Sequence, residues 1–113
     1  MDSYFSPELL KEIEIPETGM RSRTLFDSAD VKVVGLGFAA GHVLATHTAP
    51  SPIALYFLEG EGELTIGEAR SAVHAGSFAT LPALKTHSVA AKTRLAMVLV
   101  VMKVKVSVET VTS

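Results

Sequence analysis

Cysteine is absent from this chain, and so is tryptophan. Without cysteine there is no disulfide framework, no thiolate nucleophile and no cysteine-ligated zinc or iron–sulfur site. Charged residues are also scarce, at 19% of the sequence, and ten Lys and Arg against twelve Asp and Glu give a net charge of −2. That balance lacks the basic excess by which nucleic-acid and anionic-membrane binders are recognised. We therefore expect neither kind of partner.

Long apolar runs are missing as well. The longest extends from Leu95 to Met102, well short of the ~20 residues that cross a bilayer. The first residues carry an early acid, Asp2, where a secretory signal would be basic and then apolar. We expect a cytoplasmic protein. Apolar residues still make up 48% of the chain, so we expect part of the apolar surface to be buried in a homodimer. We expect the final strand, alone or with the N-terminal segment, to build this dimer through strand exchange or sheet packing.

The local patterns change near residue 24. Before residue 24, a short helix is predicted to start at Ser6, Pro7 and Glu8, with Ser6 as its cap. This helix is predicted to end before Pro16 and Gly19. After residue 24, short segments rich in β-branched and aromatic residues alternate with turn residues, which is typical of an all-β sandwich or barrel. We predict an N-terminal arm, a short helix or irregular segment, over residues 1–22 and one β domain over residues 23–113. Nine strands are predicted, over residues 23–26, 31–39, 43–48, 53–58, 63–66, 72–74, 77–81, 87–90 and 94–108.

With no cysteine, any catalytic or binding chemistry must depend on the four histidines, the carboxylates and the hydroxyls. His42 and His74 are expected to face solvent. Side chains alternate along a strand, so an inward-facing His47 would share its face with Val43, Ala45 and Ala49. On the next strand, three apolar side chains would line the same cavity: Ile53, Leu55 and Phe57.

Two stretches of the chain carry a family resemblance. In the first, Gly41, His47 and Gly60 stand at the spacing of the first motif of the cupins, which are small double-stranded β-helix barrels. In the second, Gly76, Pro82 and His87 stand at the spacing of the second cupin motif. Over roughly residues 31 to 102, the chain resembles a small single-domain cupin of the type-2 conserved barrel kind, which implies an all-β, jelly-roll-like double-stranded β-helix.

The resemblance also implies where a metal would bind. Metal-binding cupins use two His and one Glu of the first motif and the His of the second. Here Ala49 stands in place of the second His and Ile53 in place of the Glu, so His47 and His87 are the ligands that remain. The second motif has also lost its Gly and Asn, at Leu84 and Ala91. A catalytic zinc or iron site normally has three protein ligands, so we expect at most a weakly bound divalent ion: Zn, Ni, Fe or Mn.

Three interpretations of His47 and His87 therefore stand side by side. They are polar anchors in a small-molecule pocket, ligands of a degenerate metal site, or hydrogen-bonded structural residues. The first predicts a binding or sensing barrel whose pocket is formed by His47, His87, Ala49, Ile53, Leu55 and Phe57. The second predicts a metal-dependent enzyme of the dioxygenase, isomerase or epimerase type. The third fits a purely structural or partner-binding dimer, and predicts a barrel interior filled by side chains with no solvent-sized pocket.

Overall fold

The computed structural model of the chain describes residues 3–103. Within that range the elements are a 3-10 turn, Leu9–Glu12, and nine strands: β1 Met20–Asp27, β2 Val31–Phe38, β3 Val43–His47, β4 Ile53–Glu59, β5 Glu61–Ile66, β6 Ala69–His74, β7 Phe78–Leu81, β8 His87–Ala91 and β9 Leu95–Met102. They form a five-stranded sheet in the order β1-β2-β9-β4-β7 and a four-stranded sheet in the order β3-β8-β5-β6. The two sheets enclose one core, which confirms the predicted all-β double-stranded β-helix.

Alternation along the strands builds that core. In β4, Ile53, Leu55 and Phe57 are buried while Tyr56 between them is exposed. In β8, His87, Val89 and Ala91 are buried in the same way. The inward side chains of both sheets form one apolar cluster: Leu36, Phe38, Ile53, Leu55, Phe57, Leu64, Val73, Leu81, Val89, Ala91, Leu95 and Met97.

The N-terminal arm covers the outer face of the five-stranded sheet. Ile13, 8% exposed, packs there with Ala96 and Val98 of β9, and Leu9 and Ile15 join the same small cluster. Strand β9 therefore has the core on one face and the arm on the other. Burial on both faces explains why its sequence is an unbroken apolar run.

One expectation about the N-terminal arm needs correction. Ser6 does not cap the 3-10 turn: the turn has no side-chain cap, and the Ser6 hydroxyl is buried without a hydrogen-bond partner. Over Leu95–Met102, strand β9 is hydrogen-bonded to β2 on one side and to β4 on the other. The rest of the predicted last strand, 104–108, lies outside the described residues, and a homodimer stays a prediction.

The first strand begins earlier than predicted. Strand β1 begins at Met20, which pairs with Phe38 of β2, so residues 20–22 belong to the sheet. No helix in residues 3–103 has the length and apolar character needed to span a membrane.

Candidate functional site at the barrel mouth

Four strand ends meet at one end of the barrel. Strand β3 ends at His47 and β4 begins at Ile53, while β7 ends at Leu81 and β8 begins at His87. The two connecting loops, 48–52 and 82–86, are joined by the backbone N–H of Leu84, which donates to the Ala49 carbonyl at 2.8 Å. We call this end of the barrel the mouth.

His47 and His87 come together at the mouth. They are direct partners across the β3–β8 pairing, and their ring centroids lie 4.3 Å apart with the planes inclined at 54°. His87 is only 5% exposed, the one polar residue in the buried set of the described chain, whereas His47 is exposed. The pair thus has one imidazole held in the wall and one open to solvent.

Backbone oxygens determine the tautomer of both rings. Nδ1 of His47 lies 2.9 Å from the Ala45 carbonyl, and Nδ1 of His87 lies 3.0 Å from the Lys85 carbonyl. A carbonyl oxygen only accepts hydrogen bonds, so each Nδ1 carries the proton and donates. In a neutral imidazole, Nε2 is then the acceptor. Nε2 is therefore the nitrogen that each ring leaves for a further partner.

The surroundings of His47 differ from the prediction because β3 is irregular. Leu44 pairs with Val89 and His47 pairs with His87, so three steps along β3 match two along β8. This extra residue is a β-bulge, which shifts the alternation by one. Leu44 therefore packs against the core, and Val43, 56% exposed, lies outside. The predicted inward wall of Val43 and Ala45 was wrong; Leu44 takes that place.

The other predicted pocket residues lie on the inner side of the barrel. Ala49 is half-buried and packs against the core cluster. Ile53, Leu55 and Phe57 are 2%, 3% and 0% exposed within that cluster, and of these Ile53 is at the mouth end of β4. Contact of these side chains with a ligand stays a prediction.

The remaining histidines lie apart from the mouth. His74 is exposed, as predicted, and borders a surface cavity of about 280 Å³ that Glu61 and Lys92 also line. His42 is half-buried, with its ring 5.9 Å from that of Phe38, and was wrongly expected to face solvent from a strand. A second surface cavity of about 440 Å³ lies between the arm and β1, where Arg21 forms a 2.8 Å ion pair with Glu14.

The donor set at the mouth does not fit a catalytic metal centre. Within residues 3–103, no group of three or more His, Cys, Asp or Glu side chains is placed to hold an ion. His47 and His87 supply two donors, while the sites that perform metal catalysis normally have three protein ligands and one open position.

Sequence reasoning missed three contributors to the mouth. The carbonyls of Ala45 and Lys85 are backbone atoms, which no residue pattern reveals. Leu84 was noted only as a departure from a motif glycine, yet it keeps a left-handed backbone with φ of 67°. The presence of leucine where the motif has a turn glycine was the signal that could have identified Leu84 as a residue of interest.

Comparison with known proteins agrees with this architecture. The chain is similar to a conserved protein of unknown function from Streptococcus pyogenes, with 26% identity, a TM-score of 0.80, and coverage of 94% of this chain and 93% of that one. It is similar to a cupin superfamily protein from Desulfitobacterium hafniense, with 24% identity, a TM-score of 0.78, and coverage of 83% and 86%. KdgF from Halomonas sp. has 17% identity and a TM-score of 0.74, with coverage of 93% and 97%, and shows the fold alone.

No curated protein matches the chain. The family profile described as the cupin domain matches residues 36–103, which contain both histidines of the mouth and eight of the nine strands in whole or in part. With the double-stranded β-helix and both motif histidines in place, the chain belongs to the cupin family.

Proposed function

We propose that this cupin binds a small organic molecule at the barrel mouth, with the polar end of that molecule hydrogen-bonded to Nε2 of His47 and His87. The observation that carries the proposal is the pair of carbonyl-held imidazoles at 4.3 Å. Each ring has its proton engaged at Nδ1, so a ligand meets two acceptors. The complementary group has two donors, such as a pair of hydroxyl or N–H groups.

Apolar surface near the pair supports a ligand with a nonpolar body. Ala49 follows His47 by two residues and packs against the core, and Ile53 begins the next strand at the same end of the barrel. We propose that these two lie nearest the ligand, with Leu55 and Phe57 deeper in the wall. Ligand pockets of this kind combine an apolar lining with a few polar anchors.

Resorcinol is a suitable probe, because it carries two hydroxyl donors on an apolar ring. We expect it to bind protein treated with EDTA, and 1,3-dimethoxybenzene, which has no donors, to bind at least about tenfold more weakly. His47→Ala and His87→Ala should each lower the affinity for resorcinol by about two- to tenfold, since each removes one hydrogen bond. Isothermal titration calorimetry gives the affinities, and imidazole ¹⁵N spectra report which ring nitrogens are protonated.

His74→Ala is the matched control. Its ring also contacts a backbone carbonyl through Nδ1, at 2.9 Å from Ala75, but it lies on an exposed strand away from the mouth. Its replacement should leave resorcinol binding unchanged. Equal affinity for the two probes, or wild-type affinity in His47→Ala and His87→Ala, would refute the proposal.

A metal-dependent enzyme of the dioxygenase, isomerase or epimerase type is the second candidate. The observation in its favour is the Nδ1–H to carbonyl bond of both histidines, which is also how metal-ligating histidines are oriented. It predicts one tightly held Zn, Ni, Fe or Mn ion per chain in purified protein, measured by elemental mass spectrometry. It also predicts that the ion is lost in His47→Ala but kept in His74→Ala.

A further inference from the structure

Leu84 has an unfavourable backbone conformation for its residue type. Its φ of 67° lies in the left-handed region, and among the described residues every other positive φ belongs to a glycine. In this region the Cβ atom of an L-residue comes too close to the following carbonyl oxygen. A γ-branched leucine gains nothing locally that a glycine would not provide.

Packing does not offset this strain. The side chain of Leu84 is 69% exposed and is outside both apolar clusters. Strain of this kind concentrates at ligand-binding positions, where the surrounding structure holds it in place.

The backbone of the same turn connects the two imidazoles. The N–H of Leu84 donates to the carbonyl of Ala49, two residues after His47. The next residue, Lys85, provides the carbonyl that holds Nδ1 of His87, while its amine lies beside Gly67 in the β5–β6 turn. Leu84 is therefore an exposed apolar side chain on the loop that spans the pair.

We infer that Leu84 is a specificity-determining residue that covers the nonpolar part of a ligand held by His47 and His87. This inference rests on the proposed function and narrows its ligand class. The ligand has hydrogen-bond donors at one end and an alkyl or aryl extension long enough to pass the imidazoles and reach the 82–86 loop. Contact with that extension removes the Leu84 side chain from water.

The test compares resorcinol with 5-pentylresorcinol, which differs only by an alkyl chain. Wild-type protein should bind the pentyl compound at least about fivefold more tightly, because its chain buries apolar surface against Leu84. Leu84→Ala and Leu84→Gly should abolish most of this preference and leave the affinity for resorcinol within about twofold. The exposed Val43 on β3 is a matched control, and Val43→Ala should keep the preference.

A second measurement checks the strain. Leu84→Gly should raise the midpoint of thermal unfolding by roughly 4–8 °C, while Leu84→Ala, which keeps its Cβ atom, should raise it much less. A pentyl preference that persists in Leu84→Ala, with resorcinol binding intact, would overturn the role of Leu84 alone. Failure of wild-type protein to bind either compound would overturn the proposed function and this inference together.

Discussion

At the scale of single residues, the histidine pair shows how backbone atoms decide side-chain chemistry. An imidazole has two chemically different nitrogens, and the hydrogen bond at one of them determines what the other offers. For both His47 and His87 that bond goes to a carbonyl two residues earlier in the chain, in Ala45 and Lys85. The same local geometry on two strands gives the mouth two acceptors of the same kind.

Asp27 and Lys103 form another residue-scale interaction. Lys103 Nζ donates to Asp27 at the end of β1 and, at 2.7 Å, to the Ser28 carbonyl, joining the end of β9 to the β1–β2 turn. This hydrogen bond holds the pKa of the Asp27 carboxyl below its ordinary value of 3.8. A lowered folded-state pKa means that the unfolded chain takes up the proton more readily, so acid favours unfolding.

The stabilisation from Asp27 should therefore be fully present above pH 3.8 and disappear as the pH falls through the lowered folded-state pKa. Asp27→Asn should reduce the free energy of unfolding near neutral pH and make no difference at the acid end, as measured by chemical denaturation across this range. In a Lys103→Met background the same replacement should produce a much smaller pH dependence, because only the attraction of Lys32 then still lowers the pKa of Asp27. A constant difference at all pH values would contradict the assignment.

At the scale of elements, the close packing of the N-terminal arm against the sheet depends on two glycines of β2. A Cβ atom at Gly37 would lie far inside contact distance of the Glu14 carbonyl oxygen, and one at Gly35 would lie 2.7 Å from Cγ1 of Ile13. Both glycines are in β2, on the face that the arm crosses. Their missing side chains let the arm backbone approach the sheet closely.

Gly37→Ala should displace the arm and lower the free energy of unfolding by about 1–3 kcal/mol, because the obstacle is rigid backbone. Gly35→Ala is the matched comparison: the obstacle there is Cγ1 of Ile13, a side-chain atom that can give way more than the backbone of Glu14 can, so its effect should be smaller. Chemical denaturation gives the stabilities, and hydrogen exchange over residues 9–15 reports arm docking. Equal effects of the two variants would show that close backbone approach is unimportant.

The strands show which elements were predictable. All nine were expected near their observed positions, because apolar and β-branched residues alternate in them and turn residues separate them. Strands β1 and β6 were predicted too short: Arg21 and Ser22 in β1 and Arg70 in β6 are exposed and polar. Their place in a sheet comes from backbone pairing with β2 and β5, which side-chain patterns do not report.

At the scale of the whole molecule, one core between two sheets supplies most of the apolar burial. Phe57 lies at its centre with 0% exposure, and its neighbours come from both sheets. The arm adds a smaller second cluster on the outer face of the five-stranded sheet. The mouth is therefore built on a packed core, and its 82–86 loop carries the exposed Leu84.

Phe57→Ala should lower the free energy of unfolding by about 3–5 kcal/mol, because it leaves a cavity that the sheets cannot close. Phe5→Ala removes the same side chain where it is 84% exposed, and should change stability by no more than about 0.5 kcal/mol. Thermal and chemical denaturation measure both. A loss below about 1 kcal/mol for Phe57→Ala would show that the two sheets are not tightly packed there.

The sequence by itself determined the all-β class, the cupin motifs, the pairing of His47 with His87 as candidate site residues and the loss of two metal ligands, since these depend on residue identity and short spacing. Tertiary structure decided which neighbours those histidines have. The bulge in β3 places Leu44 inward and Val43 outward. Two backbone carbonyls determine the tautomer of the imidazole rings. The register of β3 against β8 is set between strands distant in the chain, so no local pattern encodes the bulge. The two hydrogen bonds of the rings are local, but they end on backbone carbonyls, which residue identity does not reveal.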